Sequence, residues 1–142
     1  MLQSSSSAER VDKVLKSETK IHDPKEPKTL PKNGKGEVAF EHVSFHYPGA
    51  EEDVLHDITF TAKPGETTAF IGSTGCGKST LVNLIPRFYD VTEGRITIDG
   101  QDVRDLTQHE LRDKLGYVPQ KGVLFSGNIA SNIMFGNPAG SE

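Results

Sequence analysis

The stretch at positions 72–80 constrains the fold of this chain more than any other. It fits the pattern G-x-x-x-x-G-K-[ST], the phosphate-binding loop known as Walker A. Glycines let several backbone N–H groups curve around a phosphate chain, the lysine supplies a cation for the outer phosphates, and the serine hydroxyl ligates the accompanying magnesium ion. The sequence therefore predicts a nucleotide-binding loop. Its predicted ligand contacts are Gly72, Ser73, Thr74, Gly75, Cys76, Gly77, Lys78, Ser79 and Thr80.

The residues on either side of this loop have the character that the motif requires. Residues 66–71 predict a short buried strand that runs into Gly72, and residues 79–89 predict an apolar helix that starts at the lysine. Such a helix directs its free N–H groups and its positive dipole end at the anion. A chance glycine-rich turn is the alternative, and the lysine and serine in register argue against it.

Alternating apolar residues predict an antiparallel sheet beside the nucleotide-binding core. Residues 37–47 alternate with one break in phase near Glu41 and His42, which predicts two strands or one bulged strand, and residues 54–62 predict another. Further predicted elements are a strand at 95–99, a helix at 105–114, a strand at 115–119 and a helix at 128–135. The predicted fold class is α/β, a partial P-loop NTPase core with an antiparallel β subdomain, preceded by a short helix and an extended linker.

Charge is distributed unevenly along the chain. Residues 1–35 carry eight basic and five acidic side chains (+3), whereas residues 36–142 carry eight basic and fifteen acidic ones (−7). The acidic part argues against binding to nucleic acid, because it offers no basic face to neutralise phosphates. Since no stretch approaches the roughly eighteen apolar residues of a membrane span, the chain as given is expected to be soluble.

Cysteine and histidine residues add two expectations. Cys76 is the single cysteine, which excludes an internal disulfide and fits a reducing compartment. Because Cys76 lies inside the phosphate-binding loop, we expect a thiol reagent to block the site. His42, His46 and His56 lie on predicted strands, and without an accompanying cluster of ligands we expect ordinary strand histidines rather than a metal site.

From Gly36 onward the sequence resembles the nucleotide-binding domain of an ABC transporter, of the exporter type whose membrane and ATPase domains share one polypeptide. The resemblance is carried by residues 43–48, 55–60, 64–66, 72–80, 94–100, 116–120 and 124–129. It implies that Tyr47 stacks on adenine, against the alternative of a packed strand tyrosine. It also implies that Gln120 approaches magnesium and the attacking water, against an exposed loop glutamine. Phe125 and Ile129 are candidate contacts to the membrane domain, with a plain core role as the alternative.

The resemblance further implies the ATP-binding portion of an exporter, which couples MgATP binding and hydrolysis to export across a membrane. Lys78 and Gln120 would be catalytic, Ser79 and Gln120 would bind Mg²⁺, and the cofactors would be ATP and Mg²⁺. The implied partners are the transmembrane domain of the same transporter and a second nucleotide-binding domain, in a homodimer or a heterodimer, at the cytoplasmic face of the membrane. Residues 1–35 would be the helix and linker that follow the transmembrane domain, and residues 36–142 the first part of the ATPase domain.

The signature motif, the Walker B aspartate and the catalytic glutamate of this family lie further along and are not in the sequence. The alternative function is therefore a catalytically incomplete nucleotide-binding or interaction module that binds without turnover. Another P-loop enzyme, such as a kinase or a GTPase, is disfavoured by the strand that carries Tyr47 and by the segment after Gln120.

Overall fold

A four-stranded antiparallel sheet with the strand order β2-β1-β3-β4 lies at the centre of the fold. The computed structural model of the chain describes residues 3–16 and 20–136. The strands are β1 (Val38–Phe45), β2 (Leu55–Ala62), β3 (Glu93–Ile98) and β4 (Gln101–Asp102). Each neighbouring pair is antiparallel, so the predicted antiparallel sheet is confirmed.

A bulge in β1 accounts for the break in alternation near residues 41–42. The pairing register shifts between Phe40 and Val43, and His42 has a φ of 50°. The bulge resets the phase of the strand, so that Phe40 before it and Val43 after it are both buried. Of the two predicted arrangements, the structure has one bulged strand.

The helices are short and their ends follow from local sequence. They are α1 (Gln3–Leu15), α2 (Lys78–Leu84), α3 (Gln108–Asp113) and α4 (Ile129–Ile133), with 3₁₀ turns at Val103–Asp105 and Met134–Gly136. The prediction that α2 extends to residue 89 is wrong. Pro86 lacks an N–H and its ring would clash with the carbonyl four residues earlier, so the helix ends before it.

The core joins the sheet to α2 and α3. Its buried apolar members are Phe40, Val43, Phe45, Leu55, Leu81, Leu84, Ile96, Ile98, Val103, Leu106 and Leu111. Leu81 and Leu84 are one turn apart on α2 and face the sheet together, which fixes the direction in which the helix leaves the phosphate-binding loop.

Two strands predicted for the nucleotide-binding core are not present. Residues 66–71 and 115–119 form neither helix nor strand, and Ile71 and Val118 are 97% and 93% exposed. A strand that is buried in a sheet needs hydrogen-bonded neighbours, and the described chain has none beside these segments. The two segments do contain apolar residues, but their composition does not show which other strands would pair with them.

Residues 20–37, which we call the N-terminal strap, contain no helix or strand but are hydrogen-bonded to the folded body. The Lys28 N–H donates to the Asp105 carbonyl at 2.8 Å, and the Leu30 N–H donates to Glu110 Oε1 at 2.9 Å. Asp23 Oδ1 accepts from the Gln108 N–H at 2.8 Å, and this bond lowers the pKa of the Asp23 carboxyl. The predicted extended linker is thus a docked segment, while the domain boundary at residue 35 stays a prediction.

A carboxylate also ties the last strap residues to the β3–β4 turn. Asp99 accepts hydrogen bonds from the backbone N–H groups of Lys35, Gly36 and Glu37 at 3.0–3.1 Å.

No helix in the two described ranges is both long enough and apolar enough to cross a membrane.

An ion pair secures the short strand β4. Arg104 Nη2 lies 2.7 Å from Asp102 Oδ2, and the Arg104 N–H donates to Asp102 Oδ1. Burial raises the pKa of the Asp102 carboxyl, but the side-chain and backbone hydrogen bonds from Arg104 and the attraction of Arg104 and Arg95 outweigh it. The pKa of Asp102 therefore lies below its usual value.

Candidate functional site

The phosphate-binding loop enters α2 through a glycine in the left-handed region. Gly77 is the N-cap residue with a φ of 90°, and Gly75 has a φ of 86°. A Cβ atom on Gly77 would lie 2.8 Å from Leu55 Cδ2 and 3.2 Å from the Val54 carbonyl oxygen. Both the backbone angle and the close approach of β2 therefore require glycine at position 77.

The ammonium group of Lys78 is folded back over the loop. Its Nζ donates to the carbonyl oxygens of Gly72 at 2.8 Å and Ser73 at 2.7 Å, and it lies 3.4 Å from Cys76 Sγ. These contacts hold one positive charge at the centre of the loop, where an anionic ligand would meet it.

A cavity of about 490 Å³ opens beside the loop. This volume lies within the range of small-molecule sites. The cavity unites most of the predicted site residues. It is lined by Tyr47, Val54, Thr74, Gly75, Gly77, Lys78, Ser79, Thr80 and Gln120. Of the predicted contacts, Gly72, Ser73 and Cys76 do not line it, although all three contact the Lys78 ammonium.

Tyr47 is fixed at the rim of this cavity. Its hydroxyl lies 2.9 Å from Thr80 Oγ1, so it links the segment just after β1 to α2. Its ring makes edge-to-face contacts with Phe45 and Tyr89 at centroid distances of 5.0 and 5.2 Å. The two interpretations of Tyr47, a ring for a ligand and a packed strand tyrosine, are thus compatible with one another.

Val54 is a lining residue that the sequence analysis missed. Its N–H donates to the Phe45 carbonyl at 2.7 Å, which continues the β1–β2 pairing one step past Leu55. The sequence contained one signal for this role. Val54 is an apolar residue directly after the acidic turn at residues 51–53, and in a hairpin that pairs Phe45 with Leu55 it faces the residue before Tyr47.

Gln120 also lines the cavity, from a segment that is neither helix nor strand. Further along, the Phe125 ring stacks on Phe135 with a centroid distance of 4.3 Å. Phe125 and Ile129 are both exposed among the described residues, and the choice between a contact to a membrane domain and a core role stays a prediction.

The three strand histidines each lie near an aspartate. His42 Nδ1 is 2.7 Å from Asp57 Oδ1, His46 Nδ1 is 3.0 Å from Asp53 Oδ1, and His56 Nδ1 is 3.9 Å from Asp53 Oδ2. Across residues 3–16 and 20–136, no group of three or more His, Cys, Asp or Glu side chains is arranged to hold a metal ion. The predicted magnesium ligands Ser79 and Gln120 both face the cavity.

Comparisons with known proteins agree with this arrangement. The ABC transporter family profile matches residues 55–139. An uncharacterized ABC transporter ATP-binding protein of Mycobacterium bovis is 47% identical over 129 residues, which are 91% of this chain and 22% of that protein. A Staphylococcus aureus protein named for multidrug export, with ATP-binding and permease parts, is 47% identical over 107 residues, 75% of this chain and 18% of that protein.

A solved structure extends the similarity to the fold. The structure of a bacterial Atm1-family ABC exporter with ATP bound superimposes with a TM-score of 0.84 at 37% identity, over 94% of this chain and 23% of that one. The chain thus spans about a fifth of the length of the curated relatives that it matches.

Proposed function

The chain belongs to the ABC transporter family, and on that premise we propose that it is the ATP-binding portion of an exporter's ATPase subunit. The whole protein would couple MgATP binding and hydrolysis to the export of a substrate across a membrane. The observation that carries this proposal is that one cavity is lined by six residues of the Walker A loop together with Tyr47 and Gln120. The alternative, a binding module without a transport role, is not favoured because the relatives' names describe transporters.

The residues present fit MgATP. The loop has an ammonium group at its centre, a serine hydroxyl beside it, and a glycine where any side chain would collide with β2. In our proposal the loop residues 72–80 wrap the phosphates, and Lys78 neutralises the oxygens of the outer two. Ser79 and Gln120 hold Mg²⁺, which spreads the charge of the phosphates, while Tyr47 offers its ring to the adenine.

We assign the exposed segments 66–71 and 115–119 to the parallel sheet of the P-loop core. Their apolar side chains point to burial between strands, and unpaired edges of this kind need covering. In this proposal residues 36–142 are the first part of the ATPase domain. Residues 1–35 join that domain to a transmembrane part of the same polypeptide, as the combined ATP-binding and permease name of the S. aureus relative suggests. A second nucleotide-binding domain would be the other partner, at the cytoplasmic face of the membrane.

Calorimetric titration of the chain with MgATP tests the proposal, with Lys78→Ala as the variant. We expect saturable binding by the unchanged chain and a loss of at least about 30-fold in affinity for Lys78→Ala, equal to about 2 kcal/mol, because the charged partner of the phosphates is removed. Far-ultraviolet circular dichroism should be unchanged, since Lys78 lies outside the core.

Lys63→Ala is the matched control, because it removes an equal charge from an exposed lysine outside the cavity. Wild-type affinity in Lys78→Ala contradicts the assignment of the phosphate-binding loop. Absence of binding by the unchanged chain contradicts the proposal that these residues hold a formed nucleotide site.

A further inference from the structure

We propose that His46 and Asp53 are positioning residues for the base of the nucleotide, acting as a clamp that closes the loop between β1 and β2. This inference rests on the proposed function, because it concerns the same cavity. Neither residue lines the cavity, but their neighbours in the chain, Tyr47 and Val54, both do. We call residues 46–54 the rim loop.

The clamp is a direct hydrogen bond across the base of the rim loop. His46 Nδ1 lies 3.0 Å from Asp53 Oδ1. A carboxylate only accepts, so the imidazole donates from Nδ1 and its proton is on that nitrogen. Both side chains are partly buried, at 38% and 30% exposure, which shields the bond from competing water better than an exposed pair.

His46 is in turn anchored to the sheet. Its backbone N–H donates to Thr92 Oγ1 at 3.2 Å, and the Thr92 N–H donates to the Ser44 carbonyl at 3.0 Å. Thr92 directly precedes β3, the strand on the other side of β1. The His46 backbone is therefore held from the sheet side, and its ring Nδ1 also lies 3.4 Å from Thr92 Oγ1, so the clamp ties Asp53 to an anchored residue.

The far end of the rim loop is also tied to β2, because Asp53 Oδ2 lies 3.9 Å from His56 Nδ1 and the next strand residue, Leu55, pairs with Phe45, but the middle of the loop is exposed. Residues 48–52 are all exposed, and Gly49 has a φ of 88°. Apart from the clamp, the described contacts within the loop are two backbone bonds, from the Ala50 N–H to the Tyr47 carbonyl and from the Val54 N–H to the Phe45 carbonyl. Breaking the clamp leaves Asp53 with only its longer contact to His56, at 3.9 Å, and we expect this to widen the range of distances between Tyr47 and Val54.

These two residues form the apolar edge of a cavity whose other lining residues are mostly polar or glycine. In the proposed function the purine ring binds against this apolar edge, whereas the phosphates bind to the loop at residues 72–80. The clamp should therefore affect recognition of the base and leave recognition of the phosphates unchanged.

A second histidine–aspartate pair, on the two strands that flank the rim loop, provides the control. His42 Nδ1 lies 2.7 Å from Asp57 Oδ1, but these side chains are 79% and 74% exposed and lie away from the cavity. The two pairs share their chemistry and differ in whether they close the rim loop.

The experiment is titration of the full chain with MgATP and, separately, with magnesium and inorganic tripolyphosphate. His46→Ala is expected to weaken MgATP binding about three- to tenfold, the scale of one hydrogen bond in an organised site, with tripolyphosphate affinity unchanged. His46→Asn should restore MgATP affinity, because its amide N–H replaces the Nδ1 donor. His42→Ala should bind both ligands as the unchanged chain does.

Equal MgATP affinity in His46→Ala and the unchanged chain overturns the clamp alone. An equal loss for MgATP and tripolyphosphate also overturns it, since the effect would then lie in the phosphate-binding loop or in the stability of the fold. Failure of the unchanged chain to bind MgATP overturns the proposed nucleotide site and the clamp with it.

Discussion

Replacing Gly94 by alanine tests how closely β3 approaches the bulge of β1. Gly94 has a φ of 75°, and a Cβ atom there would overlap the backbone carbonyl oxygens of Glu41 and His42. Gly100, just past the same strand, has a φ of 78°, but a Cβ atom on it would have no neighbour within 4 Å. The two glycines thus share a left-handed backbone conformation, but only at position 94 would a Cβ atom collide with neighbouring backbone.

The expected magnitudes follow from this difference. Alanine in the left-handed region costs about 1–2 kcal/mol at either position. At position 94 the bulge must also move, because the colliding atoms are backbone and cannot rotate away, and such overpacking adds about 1–3 kcal/mol. We therefore expect Gly100→Ala to lower the free energy of unfolding by about 1–2 kcal/mol and Gly94→Ala by about 2–5 kcal/mol.

Urea unfolding followed by far-ultraviolet circular dichroism measures both values. The chain contains no tryptophan, so the backbone signal is preferable to fluorescence. A Gly94→Ala variant no less stable than Gly100→Ala would refute the close approach at the bulge, and with it the explanation of why β1 changes phase there.

Two further predictions concern a thiol and a carboxylate. Cys76 is exposed and is the only cysteine in the sequence, so N-ethylmaleimide should modify it and abolish MgATP binding. The modification should be slower when MgATP is present. Binding of MgATP by the modified chain contradicts this prediction, and Cys76→Ser is the insensitive control. Because the folded-state pKa of Asp102 is lowered, its ion pair with Arg104 stabilises the fold above the unfolded-state pKa of about 3.9 and loses this effect as pH falls through the folded pKa. The difference in urea midpoint between the unchanged chain and Asp102→Asn should therefore be full near pH 6 and shrink below pH about 4; a difference that grows as the pH falls contradicts the assignment.

The features predicted best from the sequence are those that depend on neighbouring residues. The phosphate-binding loop needs glycines, a lysine and a serine at fixed spacing, and the structure has α2 begin at Lys78. The bulge of β1 was visible because burial alternates with a period of two, and one extra residue at positions 41–42 shifts that alternation. The resemblance to ABC transporters is confirmed by the family profile.

The features predicted poorly depend on distant partners. Residues 66–71 and 115–119 have the composition of buried strands, but a strand exists only where another strand pairs with it. The docking of the N-terminal strap was also invisible, because most of its bonds use backbone groups that every residue carries. Val54 was missed for a related reason, since its place at the cavity depends on the hydrogen bond of its N–H to the Phe45 carbonyl across the rim loop.

The strap has a consequence for the order in which this chain is assembled during synthesis. Asp23, Lys28 and Leu30 bind residues that follow them by 77 to 85 positions. At ribosomal speeds of about 5–20 residues per second, the strap is synthesised roughly 4–17 s before its partners. Its prolines disfavour helix formation during that interval and favour an extended segment. The strap is thus made before every one of these partners, and these hydrogen bonds can form only after the chain has been extended past them.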